Sequence, residues 1–183
     1  MVATIAALSV LGVWLAYTYN RLVKHANLAR EAWSGIDVQL KRRHDLVPNL
    51  VEVVRAYATH ERQVLEGVTA ARAEVGGERP PGELQQRENV LSGRLRSLLA
   101  LAEAYPQLLA NRSFADLHDQ LVEIEDRLQM ARRYYNGSVR DYNICVESFP
   151  SNLVARLLAF QRRQFFELAS ATERKSPEVK VLP

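Results

Sequence analysis

Leu40-Lys41-Arg42-Arg43-His44-Asp45-Leu46-Val47-Pro48-Asn49-Leu50 is the stretch on which the fold turns. Asp45 is a good helix N-cap, and Pro48 would then fall in the tolerant first turn of a new helix. The same residues also read as one helix with a proline kink, because the apolar phase carries through from Leu40 to Val47. Pattern alone favours neither reading, so length decides. A helix unbroken from Asn20 to Val75 would run ~84 Å at about 1.5 Å per residue, leaving much of its apolar stripe hard to cover. A turn near residues 43–47 is therefore expected.

Upstream, Leu22, Ala26, Ala29, Trp33, Ile36 and Leu40 form one apolar stripe. Before it, Met1 to Asn20 contain no Asp, Glu, Lys, Arg or His. Met1–Tyr19 as a helix spans ~28 Å, close to the ~30 Å hydrocarbon core of a bilayer. Trp14, Tyr17 and Tyr19 cluster at its end, where amphipathic rings favour the headgroup level. A cleaved signal peptide would want a basic start and a small-x-small cleavage site. No Lys or Arg precedes the apolar core, and Leu15-Ala16-Tyr17-Thr18-Tyr19 is a poor cleavage site. Cys145 is the sole cysteine, which excludes a lipoprotein. Residues 1–19 are expected to be a retained single-pass transmembrane anchor. Arg21, Lys24 and Arg30 follow it, so the positive-inside rule puts the N-terminus outside and residues 20–183 in the cytoplasm. No Gly/Ser or Pro linker separates the anchor from Leu22, so the two read as one nearly continuous rod.

Downstream, Val47, Leu50, Val54, Tyr57, Val64 and Val68 form a second stripe, and Leu84, Leu91, Leu95, Leu98, Ala102 and Tyr105 a third. The fourth is the longest: Phe114, Leu117, Leu121, Ile124, Leu128, Ala131, Tyr135, Tyr142, Cys145 and Phe149, interrupted at Ser138. This is the seam spacing of packed helices, and no alternating β pattern competes with it. The run from Gly76 to Gly82 reads as a loop, Pro106 as the end of the third helix, and Phe149-Pro150 as the end of the fourth. Ser113 with Asp116 resembles a capping box at the fourth helix's start. The expected fold is all-α: a transmembrane helix (1–19), an antiparallel up-and-down four-helix bundle (20–149), and an amphipathic basic-aromatic segment with a short helix and a flexible tail (150–183).

Several runs carry a family resemblance. They are Tyr19-Asn20-Arg21-Leu22-Val23, Ala32-Trp33-Ser34-Gly35-Ile36-Asp37-Val38-Gln39-Leu40 continuing to Val51, Tyr57-Ala58-Thr59-His60-Glu61, and Val68-Thr69-Ala70-Ala71-Arg72. Tyr105-Pro106-Gln107-Leu108, Ala131-Arg132-Arg133-Tyr134-Tyr135-Asn136, Tyr142-Asn143 and Phe149-Pro150-Ser151-Asn152 complete the set. Together they resemble the LemA family in register over residues 19–168. The resemblance implies a bacterial-type single-pass membrane protein, hence the inner membrane, with a soluble antiparallel helical bundle and no established catalytic activity. The tail departs from that pattern. It reads Leu158-Ala159-Phe160-Gln161-Arg162-Arg163-Gln164-Phe165-Phe166, where relatives commonly have a Gly between the first aromatics and a Pro nearby.

Composition narrows the function classes. The chain has 183 residues, 24 Lys+Arg and 21 Asp+Glu, for a net charge of +3. All of these charges lie in 21–183 and are well mixed in sign, unlike the concentrated basic face of a nucleic-acid binder. A di-metal carboxylate site would need Glu-x-x-His pairs, but Leu22, Lys41, Tyr57 and Ala115 stand three residues before the four histidines. His60-Glu61 begins like a zinc-protease motif, but Val64 occupies the second histidine's place. No phosphate loop, dinucleotide fingerprint or nucleophile elbow is present. No cofactor or metal is expected, and Cys145 reads as buried packing.

Three features are candidate sites. Lys41, Arg42 and Arg43 either complement a helix C-terminus or dock an anionic partner. On a straight helix Arg43 lies ~35 Å beyond Asn20, several ~8 Å Debye lengths from the headgroups, which disfavours the chain's own membrane as that partner. Tyr135-Asn136 and Tyr142-Asn143, one heptad apart, suggest a buried polar layer with Asp37 or Glu125 accepting from the hydroxyls, or else a small pocket. Ser151–Phe166 carries Arg156, Arg162 and Arg163 among large apolar residues, which suits either an interfacial helix or a cap on the open end of the bundle. The expected function is a non-catalytic, membrane-anchored scaffold or adaptor holding an unidentified protein partner. The runner-up is a self-assembling homo-oligomer packed through Ala3, Ala7, Gly12 and Ala16. An enzyme of unrecognised type comes third.

Overall fold

The computed structural model describes residues 1–75 and 80–167, and among these every regular element is a helix. The first, α1, runs without a break from Val2 to Arg55, so the expected turn at 43–47 does not occur. Pro48 has no N–H, and the carbonyl of His44 one turn back therefore loses its ladder partner. Arg72, on the next helix, donates its Nε–H to that carbonyl at 2.8 Å. A side chain thus replaces the bond the proline removes, and the helix continues past it. The chain turns instead at 56–61, where the Ala58 N–H closes on the Val54 carbonyl at 2.9 Å.

Length proves no obstacle, because the stripe is covered piecewise. α5 (Arg112–Glu147) lies antiparallel along α1. Arg43 meets Glu125, Trp33 meets Tyr135, and Leu22 shares a cluster with Cys145. A Cβ on Gly35 would stand 3.9 Å from that of Ala131, ordinary contact that marks how closely the two helices pass. α2 (Arg62–Val75) and α3 (Pro81–Ala102) pair with each other, Arg87 donating to the Glu74 carbonyl at 2.8 Å. They cover the distal half of α1, burying Val47, Leu50 and Val54 with Leu65, Val68, Leu91 and Leu95 in the main core. A single turn, α4 (Pro106–Leu109), joins α3 to α5.

Helix ends differ in detail from expectation. The N-cap of α5 is Asn111 rather than Ser113, and its Oδ1 accepts the Phe114 N–H at 3.1 Å. Pro81 and Gly82, read as loop, open α3, where a first-turn proline loses nothing. Residues 76–79 of that loop, and the tail 168–183, lie outside the described residues. The segment 151–166 is helical only at α6 (Ser151–Leu157). Residues 161–167 then follow without regular secondary structure, held against α5 and α3 by side-chain hydrogen bonds.

A second, smaller core closes the proximal end. Leu22, Cys145, Val154 and Ala155 are buried there, with Trp14, Val146 and Phe160 packed around them. α6 therefore folds back beside residues 14–22, and the Tyr19 and Phe160 rings meet edge-on at 6.3 Å. Phe149 and Leu157, each 80% exposed, and Leu153, 56% exposed, stay uncovered on that segment. The start of α1 contains an 18-residue window with mean hydropathy 1.6, long and apolar enough to cross a membrane.

Candidate functional site: a clamp on extended chain

The two Tyr-Asn pairs of α5 face the extended segment and bind its main chain. Asn143 Oδ1 accepts the Arg163 N–H at 2.9 Å while its Nδ2 donates to the Arg163 carbonyl at 3.0 Å. Asn136 does the same to Phe166, at 2.9 and 3.0 Å. The Tyr142 hydroxyl donates to the Gln161 carbonyl (2.9 Å) and the Tyr135 hydroxyl to that of Gln164 (3.0 Å). The repeat has a geometric reason. Seven helical residues rise ~10.5 Å, and three extended residues span ~10 Å, so a heptad step on the helix matches a three-residue step on the strand-like segment.

Side chains fill the spaces between these bonds. Phe166 is fully buried and stands edge-on to Trp33 at 5.3 Å, and Trp33 stands edge-on to Tyr135 at 5.2 Å. The Arg163 guanidinium lies over the Tyr142 ring, 5.2 Å from its centroid, as a cation–π contact. Arg162 pairs with Glu147 at 2.5 Å. From α3, Gln85 Oε1 accepts the Glu167 N–H at 2.9 Å. Burial raises the pKa of both Tyr135 and Tyr142, and the charge of Arg163 opposes it in part. Both hydroxyls therefore remain protonated donors well into the alkaline range.

The two Tyr-Asn pairs lie together on α5, but their partners are not those expected of the polar layer. Asp37 is exposed and takes no part in it. Glu125 instead accepts from Arg43 at 2.7 Å. The hydroxyls go to main-chain carbonyls.

Arg43 is corrected as well. It is fully buried and paired with Glu88, which is also fully buried, and it donates to Ser92 at 3.0 Å. His44 Nε2 lies 3.0 Å from the other oxygen of Glu88. Burial would lower the Arg43 pKa, but Glu88 and Glu125 outweigh it and hold the guanidinium above its ordinary value. A residue enclosed in this way is unavailable for docking, which leaves only Lys41 and Arg42 of the basic run facing solvent. Arg156 is exposed on α6, whereas Arg162 and Arg163 are engaged within the chain. Among the described residues, no three His, Cys, Asp or Glu side chains gather as a metal site would require.

Sequence reasoning missed Glu88, Arg72, Gln85, Trp33 as the wall of a pocket, and Phe166 as its occupant. Glu88 had a signal: it falls on the seam between Leu84 and Leu91, where a lone acid implies a buried partner.

The LemA family model matches residues 32–181, most of the chain. This chain belongs to the LemA family. It is similar to magnetosome protein MamQ 2 of Paramagnetospirillum magneticum, 25% identical over 182 residues, covering 84% of this chain and 66% of the relative. It is also similar to magnetosome protein MamQ of Magnetospirillum gryphiswaldense, 24% identical over 178 residues (83% and 65%). Protein LemA of Metamycoplasma hominis is 25% identical over 159 residues (85% and 71%). This LemA-family chain thus spans just under two-thirds of the length of these MamQ relatives.

Proposed function

We propose that this LemA-family chain is a non-catalytic, membrane-anchored scaffold or adaptor. In this reading the apolar start of α1 spans the membrane with the N-terminus outside. The helices beyond it form an up-and-down four-helix bundle that presents a binding surface at the cytoplasmic face. The observation that carries the reading is the continuity of α1, a single helix from the apolar window through to Arg55. The proximal end is also braced, since Trp14 and Tyr19 pack with Phe160 and α6. The exposed Phe149, Leu153 and Leu157 beside them suit the headgroup layer, where apolar side chains enter the acyl boundary. That two relatives are named magnetosome proteins is in keeping with a scaffolding role.

Crosslinking in native membranes followed by mass spectrometry tests the proposal. A reproducible heterologous partner attached to residues 20–167 is the expected result. Crosslinks between copies alone would overturn the adaptor in favour of a self-assembling membrane organiser.

A further inference from the structure

We propose that the groove between α1 and α5 is an extended-peptide binding site, that residues 161–167 are its occupant in cis, and that in trans it takes an unstructured segment of a partner protein. That segment would carry basic residues followed, three positions on, by an aromatic one. The proposal deepens the adaptor reading and rests on it for the existence of a partner.

The groove recognises main chain first. Asn136 and Asn143 each engage both the N–H and the C=O of one residue, and the neighbouring tyrosine of each pair takes the carbonyl two residues before it. Any extended chain presents those groups at the same spacing, so this part of the site does not depend on sequence. Selectivity comes from two seats. The Trp33–Tyr135 pocket swallows an aromatic ring whole, and the Tyr142 face with Glu147 nearby receives adjacent basic side chains. Gln164 and Phe165 lie between the seats and are exposed, so those positions are unconstrained. Main-chain bonds for affinity with pockets at chosen positions for specificity is the general logic by which proteins bind extended peptides.

The occupant is also built to leave. The hydrogen bonds that hold it come from side chains of α5 and α3 rather than from a strand ladder. It joins α6 through Ala159, whose φ of 57° puts a non-glycine residue in the left-handed region. Its side chains Gln164 and Phe165 face outward. When it departs, the asparagines and tyrosines it uncovers regain water as a partner.

The test uses the full chain in detergent or nanodiscs and a fluorophore-labelled peptide with the sequence of residues 160–167. The F166A chain, whose own segment has lost its anchor, is expected to bind the peptide at least tenfold more tightly than the unaltered chain, by anisotropy. Adding N143A to F166A, or placing Ala at the Phe166 position of the peptide, is expected to remove at least tenfold of that affinity. A cooperatively melting F166A chain that binds no better than it binds a scrambled peptide overturns the proposal, as does equal binding by every variant.

If F166A does not fold, hydrogen exchange on the unaltered chain decides. Loss of protection at the Arg163 and Phe166 amides when excess peptide is added supports displacement. Protection unchanged and equal to that of the α5 amides overturns it. Failure here beside a heterologous crosslink on another face leaves the adaptor standing without this groove.

Discussion

The distal and proximal halves of the α1–α5 pair solve the same problem with opposite chemistry. At the distal end the polar groups between helices are charges: Arg43 lies between Glu88 and Glu125, sealed from solvent at its core. At the proximal end they are neutral amides and hydroxyls, directed at the backbone of a segment with little regular structure of its own. A buried ion pair specifies one partner, because removing either member strands a charge in a low-dielectric interior. An amide clamp on main chain accepts any extended segment. The molecule thus holds its architecture together with charge at one end and keeps an exchangeable contact at the other.

That contrast puts the largest loss at the charged end. Arg43→Met leaves the buried Glu88 with only His44 beside it and is expected to cost about 3–5 kcal/mol in chemical denaturation. Adding Glu88→Gln should restore much of it. An Arg43→Met chain as stable as the parent would remove the distinction between the halves.

Next in size is Arg72→Leu, which leaves the His44 carbonyl below Pro48 without its donor. A charged hydrogen bond to a backbone acceptor contributes about 1.5–3 kcal/mol, and α1 should bend or fray at 44–48 in hydrogen exchange. Asn143→Ala should cost less, about 1 kcal/mol, and its effect should stay local. The Arg163 amide would lose protection while the amides of α2 and α3 keep theirs.

The smallest effect is the dependence on pH. Tyr135 and Tyr142 have raised pKa values in the fold. The unfolded chain therefore releases those protons first as pH climbs past about 10, the ordinary tyrosine value. Stability is complete below that value and declines above it. Thermal melts between pH 9 and 11 should show the decline, and Tyr135→Phe with Tyr142→Phe should flatten it.

Much of the helical content is legible in the apolar spacing, since a stripe at three- and four-residue steps has few ways to be buried. Leu22, Ile36, Leu50, Leu91, Leu98 and Leu128 are core in the structure as their spacing predicts. The course of the chain at Pro48 is not legible locally. Whether a proline ends a helix depends on what reaches the carbonyl it orphans, and here that is a side chain on another helix. The Tyr-Asn heptad could be picked out as polar residues on a buried face. Its partner could not, because a main-chain amide carries no signature of its own. The basic run misled for a related reason: Lys41, Arg42 and Arg43 are alike in sequence, and only helical phase separates the one on the seam from the two in solvent.

The unbroken α1 has a mechanical consequence. Where the apolar end is held in lipid, the helix becomes a lever whose free arm, from Asn20 to Arg55, is ~52 Å long at about 1.5 Å per residue. A hydrophobic stretch meets a thinner bilayer by tilting, so a change of about 10° at the membrane would sweep the distal tip sideways by ~9 Å. A body carried on such a lever converts local bilayer thickness into displacement, and whatever it holds moves with it.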